Sequence, residues 1–213
     1  MVSHLSAEQL SDLSGHTISH YEQNATSFWE GTKDHDVTQN IDCLKRNILT
    51  NPPHRILDLG CGPGRDLFAF KEMGDEAIGL DGCAAFCEMA RNHTGCDIWH
   101  QDFLKLELPA GHFDGIFANA VLFHIPSQEI GRVLKELNAT LKEDGVLFCS
   151  NPRGNDDEGW NGSRYGTYYS WDTWKNIMTD AHFSEVEHYY RPTGLPREQQ
   201  PWLASAWRTN RTA

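Results

Sequence analysis

Short apolar runs alternate along the chain with segments in which apolar residues recur every three to four positions. The runs predicted as strands, because each is short and apolar, are 55–59, 76–81, 97–100, 113–119 and 146–150. The segments predicted as helices, because of their helical spacing, are 65–73, 82–90 and 127–141. Strands that alternate with helices in this way are typical of a parallel sheet covered by helices.

The C-terminal part of the chain has a different order of elements. After a predicted helix at 171–181, apolar segments at 183–190 and 202–208 follow each other with only the turn-rich link 191–197 and a few more residues between them. Two consecutive strands joined by a short link pair in an antiparallel manner. The pattern therefore predicts a C-terminal hairpin, in which Tyr190, Arg191 and Trp202 are given structural roles although they lie near the pocket edge.

The N-terminal part is predicted to be helical. Residues 1–15 are polar with a short apolar pattern, which predicts a loosely docked helix, and Tyr21, Ala25 and Phe28 continue at helical spacing. A further helix contains Ile41 and its apolar neighbours and ends before two prolines.

The stretch 151–169 interrupts the periodicity. It mixes glycines, arginines, carboxylates and aromatic residues without an apolar period. A loop of this length is usually functional or disordered, and the aromatic content argues against disorder. Because it follows the carboxyl end of a strand, we expect it to lie over the ligand cleft.

Composition and charge narrow the class of partner. The 213 residues are most simply one domain, 1–213, and a net charge of −12 without a long basic cluster disfavours nucleic acid and anionic membranes. The chain shows no secretion signal and no apolar run long enough to cross a bilayer. The six cysteines follow no C-x-x-C pattern, so we expect free thiols, a cytoplasmic location and no metal site.

Three glycines at alternate positions, Gly60, Gly62 and Gly64, directly follow the first apolar strand. Glycine lets the backbone turn sharply and lets a ligand approach without a Cβ in the way. The next helix offers free N–H groups at its first turn. The following strand ends on Asp81, and an acid about 20 residues after such a loop commonly hydrogen-bonds a ribose diol. The pattern predicts a nucleoside-bearing cofactor at the point where the strand order of an α/β sheet reverses.

The glycine spacing distinguishes between cofactors. A dinucleotide fingerprint reads G-x-G-x-x-G, whereas this chain has G-x-G-x-G with Asp58 two residues earlier. Together with Asp81, this stretch resembles motif I of the class I S-adenosylmethionine (SAM) methyltransferases, and the resemblance covers about residues 20–208. It implies an α/β fold with a Rossmann-like seven-stranded, mostly parallel sheet, helices on both faces and an antiparallel C-terminal hairpin. It also implies SAM as the cofactor and S-adenosylhomocysteine as the product.

The resemblance further implies which residues contact the cofactor. Asp81 would bind the ribose, Asp102 the adenine amino group and the backbone of Phe103 the adenine ring, although Asp102 is also an ordinary turn residue. The residues implied as cofactor-binding are Asp58, Gly60, Gly62, Gly64, Arg65, Asp81, Gly82, Gln101, Asp102, Phe103, Asn119 and Ala120.

The stretch 113–126 resembles motif IV of small-molecule methyltransferases. Asn119 lies at the carboxyl end of a strand, where open α/β sheets bind ligands, and His124 would lie close to the transferred methyl group. A histidine near neutral pKa can accept a proton from the nucleophile, and a packing or helix-capping role is the alternative. A metal-dependent catechol-type enzyme would have an acidic residue at the position of Asn119. The asparagine therefore argues against that class of enzyme.

Two further candidates for catalysis lie in the N-terminal part, for which residues 1–50 are predicted to form a helical lid. Tyr21 belongs to a Tyr-x-x-x-Ala segment that covers the SAM cleft in many related enzymes, so it is expected to contact SAM or the substrate. His35 is flanked by Asp34 and Asp36, which suits a base or a substrate ligand. An exposed helix start capped by either acid explains the same pattern.

The predicted substrate-recognition insert is 151–170. Arg153 or Arg164 could bind a carboxylate through two hydrogen bonds, and Trp160 or Tyr165 could stack on a flat ring or hold a cationic amine. The residues predicted to bind substrate are Trp29, Arg153, Trp160, Arg164 and Tyr165.

The sequence therefore predicts a SAM-dependent methyltransferase of a small polar or heteroaromatic metabolite. Nitrogen or sulfur is preferred over oxygen as the nucleophile, and the chain is expected to act as a monomer or homodimer. The alternatives are a non-catalytic or dinucleotide-binding protein on the same sheet, and a methyltransferase that acts on protein.

Overall fold

The computed structural model describes residues 4–210, so the predicted domain limits 1–213 reach beyond the described residues at both ends. The helices are α1 (Ala7–Thr32), α2 (Thr38–Asn47), α3 (Arg65–Glu72), α4 (Ala84–Thr94), α5 (Ser127–Thr140) and α6 (Trp171–Asp180), with short 3₁₀ turns at Leu122–His124 and Arg197–Gln199. The strands are β1 (Arg55–Leu59), β2 (Glu76–Asp81), β3 (Asp97–His100), β4 (Phe113–Asn119), β5 (Leu141–Pro152), β6 (Asp157–Asn161), β7 (Arg164–Tyr168), β8 (Phe183–Arg191) and β9 (Trp202–Thr209).

The main sheet of the described residues has seven strands in the order β3-β2-β1-β4-β5-β9-β8. Strands β1 to β5 are parallel, whereas β9 is antiparallel to both β5 and β8. The chain moves outward in one direction from β1 to β3 and then returns to place β4 on the other side of β1. The predicted Rossmann-like fold with its C-terminal hairpin is confirmed, and the reversal between β1 and β4 is where such sheets bind ligands.

Helices cover both faces of the sheet because successive strand residues point to opposite sides. Leu57 packs in one buried cluster with residues of α5 and α6, whereas its neighbour Ile56 packs in another with residues of α2, α3 and α4. Trp207 and Trp174 are among the largest fully buried side chains, and both belong to the first cluster. The two cores fix the sheet as a rigid platform for the loops at its carboxyl edge.

The N-terminal helix is longer and better docked than expected. Residues 7–32 form one continuous helix, which begins with a capping box formed by Ser6 and Gln9. Leu13 and Thr17 are buried, and the hydroxyl of Thr17 accepts a hydrogen bond from the Tyr165 backbone N–H at 3.1 Å. The prediction of a loosely docked helix at 1–15 was wrong for the described residues of that segment, because Leu13 is buried and the Ser14 hydroxyl donates to Asp102 at 3.0 Å.

The stretch predicted as a loop is a two-stranded hairpin. Strands β6 and β7 pair in an antiparallel manner with Asn161 opposite Arg164, which leaves Gly162 and Ser163 as the turn. Gly162 has φ +62°, a conformation that tight hairpin turns require and that glycine adopts without steric cost. The predicted insert 151–170 therefore has regular structure, although it lies near the cleft as expected.

Smaller differences concern element ends and the thiols. Helix α2 ends at Asn47, and the Asp36 carboxylate accepts a hydrogen bond from the Thr38 backbone N–H at 2.9 Å at its start. Strand β5 extends to 141–152 rather than 146–150.

All six cysteines are free. Among the described helices, none combines the length and apolar character needed to cross a lipid bilayer.

Candidate active site

A cavity of about 600 Å³ opens at the carboxyl edge of the sheet, and α1 lines it from Ser14 to Thr32. It extends from the loop after β3, where Asp102 lies, to the end of β8, where Arg191 lies. Both the helical cover and the strand ends therefore contribute side chains to one continuous space, and its volume is in the range usual for small-molecule sites.

The glycine loop and Asp81 form one wall of this cavity. The Asp81 carboxylate accepts hydrogen bonds from the backbone N–H groups of Gly62 and Cys83, each at 2.9 Å. Burial raises the pKa of Asp81 to about 6, and these backbone donors partly offset the effect. Because each carboxylate oxygen has a second lone pair, Asp81 can still accept hydrogen bonds from two hydroxyls.

Gly62 leaves room for a ligand. A Cβ at this position would approach only Phe28, at 3.8 Å, and would project into the cavity. A Cβ at Gly60 would overlap Val121 at 2.4 Å, so this glycine is required by packing against the segment after β4. Both residues line the cavity as predicted.

Three residues predicted to bind the cofactor lie outside the cavity lining. Asp58 is buried behind the loop, where burial and the nearby Asp66 raise its pKa well above the usual range. Gly64 faces α4, because a Cβ there would lie 2.9 Å from Thr94. The Gln101 side chain is used in hydrogen bonds to the backbone of Glu107. None of the three lines the cavity, and their contact with the cofactor stays a prediction.

The end of the cavity near β3 is lined by polar and apolar groups. Asp102 accepts hydrogen bonds from the Ser14 hydroxyl at 3.0 Å and from the Leu104 backbone N–H at 2.9 Å. Phe103 and Ile18 lie on the same wall, and Gly82 adjoins them. This end can therefore accommodate a flat, partly polar ring system.

An aromatic cluster from α1 and α4 covers the glycine loop. The rings of Tyr21, Phe28 and Phe86 lie within 5.1–5.6 Å of one another between centroids, and all three line the cavity. The carboxylate of Glu22 accepts hydrogen bonds from the Ala85 backbone N–H at the start of α4, with the shorter contact at 3.2 Å. These contacts hold α1 over the site.

A network of hydrogen bonds fixes the amide of Asn119. Its oxygen accepts a hydrogen bond from the Asn40 amide at 3.0 Å, and its nitrogen donates to Asp66 at 3.3 Å. Arg65 forms an ion pair with Asp66 at 2.6 Å and also donates to the Thr32 backbone oxygen. Arg65 and Asn119 thus line the cavity as predicted, but their side chains are largely engaged with protein partners.

Tyr21 and His124 are directly hydrogen-bonded. The Tyr21 hydroxyl lies 2.8 Å from His124 Nε2, and His124 Nδ1 lies 2.7 Å from the Tyr165 backbone oxygen. A carbonyl only accepts, so Nδ1 carries the proton and Nε2 accepts the proton of the Tyr21 hydroxyl. Burial lowers the pKa of His124 to about 4, which keeps the ring neutral at physiological pH.

Arg164 completes this group. Its guanidinium donates to the Tyr21 hydroxyl at 3.4 Å and lies 6.0 Å from the centre of the Tyr21 ring. Burial raises the pKa of Tyr21, and the positive charge of Arg164 opposes that shift. The hairpin β6–β7 thus contributes a cation to the same cavity as α1 and the turn after β4.

The other predicted substrate and catalytic residues divide into two groups. Trp29 and His35 line the cavity, with His35 exposed at its mouth. Trp160, which is 53% exposed, lies on the outer side of the hairpin against His16. The Tyr165 side chain is buried, and its backbone oxygen contacts a cavity residue, His124. The Arg153 side chain donates to the Arg197 backbone oxygen. Trp160, Tyr165 and Arg153 do not line the cavity, and their contact with substrate stays a prediction.

Several lining residues were missed or given only structural roles. Phe86, Asp66 and Ser150 lie on elements whose local pattern indicates only packing. Arg191 and Trp202 were assigned structural roles, yet both line the cavity. They face each other across the β8–β9 pair, which is a long-range pairing that local periodicity does not report.

This geometry, with a glycine loop and a ribose-type acid at the reversal point of the sheet and an antiparallel hairpin at its edge, defines a nucleoside-binding α/β protein. Residues 56–145 match the family described as "Methyltransferase domain". This match covers less than half of the chain, and it agrees with the resemblance to class I SAM-dependent methyltransferases that the sequence motifs indicated. The cofactor predicted from the sequence, SAM, agrees with this family.

Relatives of known activity resemble part of the chain. It is 36% identical over 108 residues to a malonyl-[acyl-carrier protein] O-methyltransferase of Legionella pneumophila. That match covers 45% of this chain and 35% of that protein. It is also 36% identical over 118 residues to a trans-aconitate 2-methyltransferase of Azoarcus sp. This second match covers 53% of this chain and 46% of that protein. The chain thus spans less than half the length of these two relatives.

A solved structure resembles nearly the whole chain. A Burkholderia thailandensis 1,6-didemethyltoxoflavin-N1-methyltransferase, solved with its substrate and S-adenosylhomocysteine, superposes with a TM-score of 0.79. The match has 19% sequence identity and covers 99% of this chain and 93% of that one. At this identity the likeness concerns the fold.

Proposed function

We propose that this chain is a SAM-dependent methyltransferase that methylates a nitrogen atom of a small polar or heteroaromatic metabolite. The observation that carries the proposal is the 2.8 Å hydrogen bond between Tyr21 and His124, inside the cavity that Asp81 and Gly62 also line. The family to which residues 56–145 belong supports the reaction class.

The cavity residues fit the cofactor. Asp81 has free lone pairs for two ribose hydroxyls, Gly62 leaves space beside the loop, and Phe103 and Asp102 line the end suited to adenine. When bound, SAM supplies an electrophilic methyl group on a sulfonium and a thioether leaving group. The protein's own contribution is to orient the acceptor, exclude water and move one proton.

Tyr21 and His124 provide the path for that proton. The Tyr21 oxygen takes the N–H proton of the acceptor while its own proton passes to His124 Nε2, and the acceptor nitrogen keeps the electron pair of the broken N–H bond. His124 becomes an imidazolium whose Nδ1–H remains on the Tyr165 backbone oxygen, 2.7 Å away. Release of the proton to solvent restores the neutral ring.

The low pKa of His124 favours nitrogen as the nucleophile. To ionise a phenol with pKa near 10, a base with pKa about 4 would have to overcome a gap of roughly 8 kcal/mol. A thiol also has to ionise first, although the gap is smaller. A neutral amine or heteroaromatic nitrogen attacks through its lone pair, and its proton becomes acidic only as the new bond forms, so a weak base suffices.

Methylation of a carboxylate oxygen is a second candidate, and the names of the malonyl-[acyl-carrier protein] and trans-aconitate relatives favour it. A carboxylate attacks without losing a proton, so this reaction would not require the Tyr21–His124 pair. Replacing Tyr21 by phenylalanine separates the two, because only methylation of nitrogen should slow strongly.

Calorimetric titration with S-adenosylhomocysteine and with NAD⁺ tests the class. We expect S-adenosylhomocysteine to bind with a dissociation constant well below about 1 mM and NAD⁺ not to bind. Binding of NAD⁺ alone would support a dinucleotide-binding protein instead.

Release of S-adenosylhomocysteine from SAM, measured with a panel of heteroaromatic amines and their matching phenols, then tests the nucleophile. N-methylated products are expected, and products methylated only on oxygen would refute the nitrogen assignment. The cytoplasmic location, the absence of nucleic-acid partners and the state as a monomer or homodimer stay predictions.

A further inference from the structure

The half of the cavity away from the glycine loop contains a cation that the cofactor does not need. We call this half the acceptor lobe and define it by Phe123, Ser150, Arg164, Arg191, Pro192 and Trp202, all of which line the cavity. The lobe residues come from the β6–β7 hairpin and from the half of the sheet formed by β4, β5, β9 and β8. Asp81 and Asp102 lie on the opposite half, at the end of β2 and after β3.

Arg191 has hydrogen-bonding capacity left. One of its terminal nitrogens donates to the Asp36 backbone oxygen at 3.0 Å, which orients the guanidinium. Four arginines in residues 4–210 form ion pairs with carboxylates, whereas Arg191 and Arg164 form none there and, unlike the other unpaired arginines of that range, line the cavity. The fork of donors on Arg191 is thus fixed in direction and open to a carboxylate.

The other cations and acids near the cavity have different tasks. Arg65 is paired with Asp66 at 2.6 Å, and Arg164 donates to the Tyr21 hydroxyl. The hydrogen bond from the Thr38 backbone N–H, at 2.9 Å, lowers the pKa of the Asp36 carboxyl, and the charge of Arg191 adds to that shift without an ion pair between the two side chains in the described residues. Arg191 is therefore the cation best able to bind an anionic group of the acceptor.

Trp202 places an aromatic surface beside this cation. Arg191 and Trp202 are directly opposite each other in the antiparallel β8–β9 pair, so their side chains leave the same face of the sheet. Directly paired residues have Cβ atoms about 5 Å apart, which lets a flat ring contact Trp202 while its carboxylate reaches Arg191.

The sheet order sets the distance between this anchor and the end of β4, after which His124 follows in the chain. Asn119 ends β4 and Arg191 ends β8, and β5 and β9 lie between these two strands. Three strand spacings amount to about 14 Å, a gap that the Arg191 side chain itself partly bridges. An acceptor anchored at Arg191 would therefore extend across the lobe toward Tyr21, with its carboxylate at the far end.

We propose that the methyl acceptor is a carboxylate-bearing aromatic or heteroaromatic molecule whose carboxylate is bound by Arg191 against Trp202 and is not itself methylated. This inference rests on the proposed function, since it names the substrate class of the same site. It assigns specificity to a residue of the C-terminal hairpin rather than to the β6–β7 insert.

Ligand-detected NMR on the protein saturated with S-adenosylhomocysteine tests the proposal. The probes are benzoate, pyridine-3-carboxylate and indole-3-carboxylate, each compared with its primary amide, which has the same shape and no charge. At least one carboxylate should bind about tenfold or more tightly than its amide, because a charge-assisted contact is lost in the amide. Equal binding of acids and amides, or no binding by any acid, would overturn the proposal.

Variants locate the effect. Arg191→Gln should remove the preference for the acid, and Arg191→Lys should retain part of it, because lysine keeps the charge without the fork of donors. Arg153→Gln, which changes a guanidinium outside the cavity, should leave the preference intact. An unchanged preference in Arg191→Gln would refute the role of Arg191.

Calorimetry with S-adenosylhomocysteine on the same samples separates the two proposals. If the cofactor product binds and the acids do not, only the substrate class fails. If the product does not bind, the proposed function itself fails. Arg191 is half-exposed, so unchanged thermal unfolding of Arg191→Gln should accompany the loss of acid preference.

Discussion

The hydroxyl of Tyr21 lies 2.8 Å from Nε2 of His124, although the two residues are 103 positions apart in the chain. The contact joins the helical cover to the turn after β4, and the Tyr165 backbone oxygen fixes the tautomer of the histidine from the other side. One proton acceptor, His124 Nε2, is therefore held in place by two segments that approach the sheet from different directions.

The first prediction concerns this pair. Tyr21→Phe removes the hydroxyl that relays the proton, so turnover of a nitrogen acceptor should fall by about 10²–10⁴-fold, the usual range for loss of general acid–base catalysis. Affinity for S-adenosylhomocysteine, measured by calorimetry, should be nearly unchanged because Asp81 and the glycine loop are untouched. Tyr190→Phe, outside the cavity, is the matched control and should leave turnover unaffected. Retention of full turnover in Tyr21→Phe would mean that the tyrosine only packs.

The second prediction concerns the titration of His124. Burial lowers its pKa to about 4, so the ring should stay neutral down to that pH and become protonated below it. Because a protonated Nε2 cannot accept the Tyr21 proton, turnover should fall on the acid side only near pH 4 unless another group limits it first. NMR titration of the imidazole signals gives the midpoint directly, and the signal that is missing in His124→Asn identifies His124. A midpoint near the unperturbed value of about 6.5 would contradict the buried, hydrogen-bonded arrangement.

The third prediction concerns Asp81. Asp81→Asn should weaken binding of S-adenosylhomocysteine by about tenfold to a hundredfold, because hydrogen bonds to a charged acceptor contribute roughly 1.5–3 kcal/mol. Burial raises the pKa of Asp81 to about 6, so in the wild type the affinity should also fall as the pH decreases through about 6 and the carboxylate is protonated. The asparagine variant should show no such dependence between pH 5 and 8, a range that covers this pKa. Calorimetry at several pH values measures both, and equal pH dependence in the two proteins would exclude Asp81 as the cause.

The fourth prediction concerns the buried amide of Asn40. Asn40 is fully buried, donates to Asn119 and accepts from the Tyr189 hydroxyl at 3.0 Å. Asn40→Ala removes the donor to the Asn119 oxygen and leaves the Tyr189 hydroxyl only its longer contact with the Gln39 backbone oxygen at 3.3 Å, so the free energy of unfolding should fall by about 1–3 kcal/mol. Asn92→Ala, on the exposed face of α4, should change it by less than about 0.5 kcal/mol. Denaturant unfolding compares the two, and similar values would show that the network adds nothing to stability.

The cofactor half of the site was predictable because its information is local. Gly60, Gly62 and Asp81 lie within about 20 residues, on a strand–loop–helix–strand unit whose geometry is set by the right-handed crossover between parallel strands. The parallel part of the sheet followed from the same alternation of strands and helices, whereas the seven-stranded sheet was implied by the family resemblance.

The acceptor half was predicted less well because it depends on long-range pairing. The β6–β7 hairpin contains Gly159 and Gly166, which interrupt the alternation of apolar and polar residues, although its turn residues Gly162-Ser163 are a typical hairpin pair. Arg191 and Trp202 become neighbours only when β8 pairs with β9. The side of the hairpin that faces the cavity is likewise decided by packing, so local sequence does not distinguish Arg164, which lines the cavity, from Trp160, which does not.

The continuity of α1 was missed for a similar reason. Gly15 lies within a polar segment and lowers helix propensity by about 1 kcal/mol relative to alanine. Contacts with distant residues compensate for this cost: Ser14 donates to Asp102 at 3.0 Å, and Thr17 accepts from Tyr165. Such contacts lie beyond any window of local sequence.

A crystal structure with S-adenosylhomocysteine tests the central claim most directly. The account predicts ribose hydroxyls within hydrogen-bonding distance of the Asp81 carboxylate, the amino-acid part beside Gly62, and the sulfur directed toward Tyr21. Electron density for the nucleoside at any other surface, or a cavity left without ligand at saturating concentration, would contradict it.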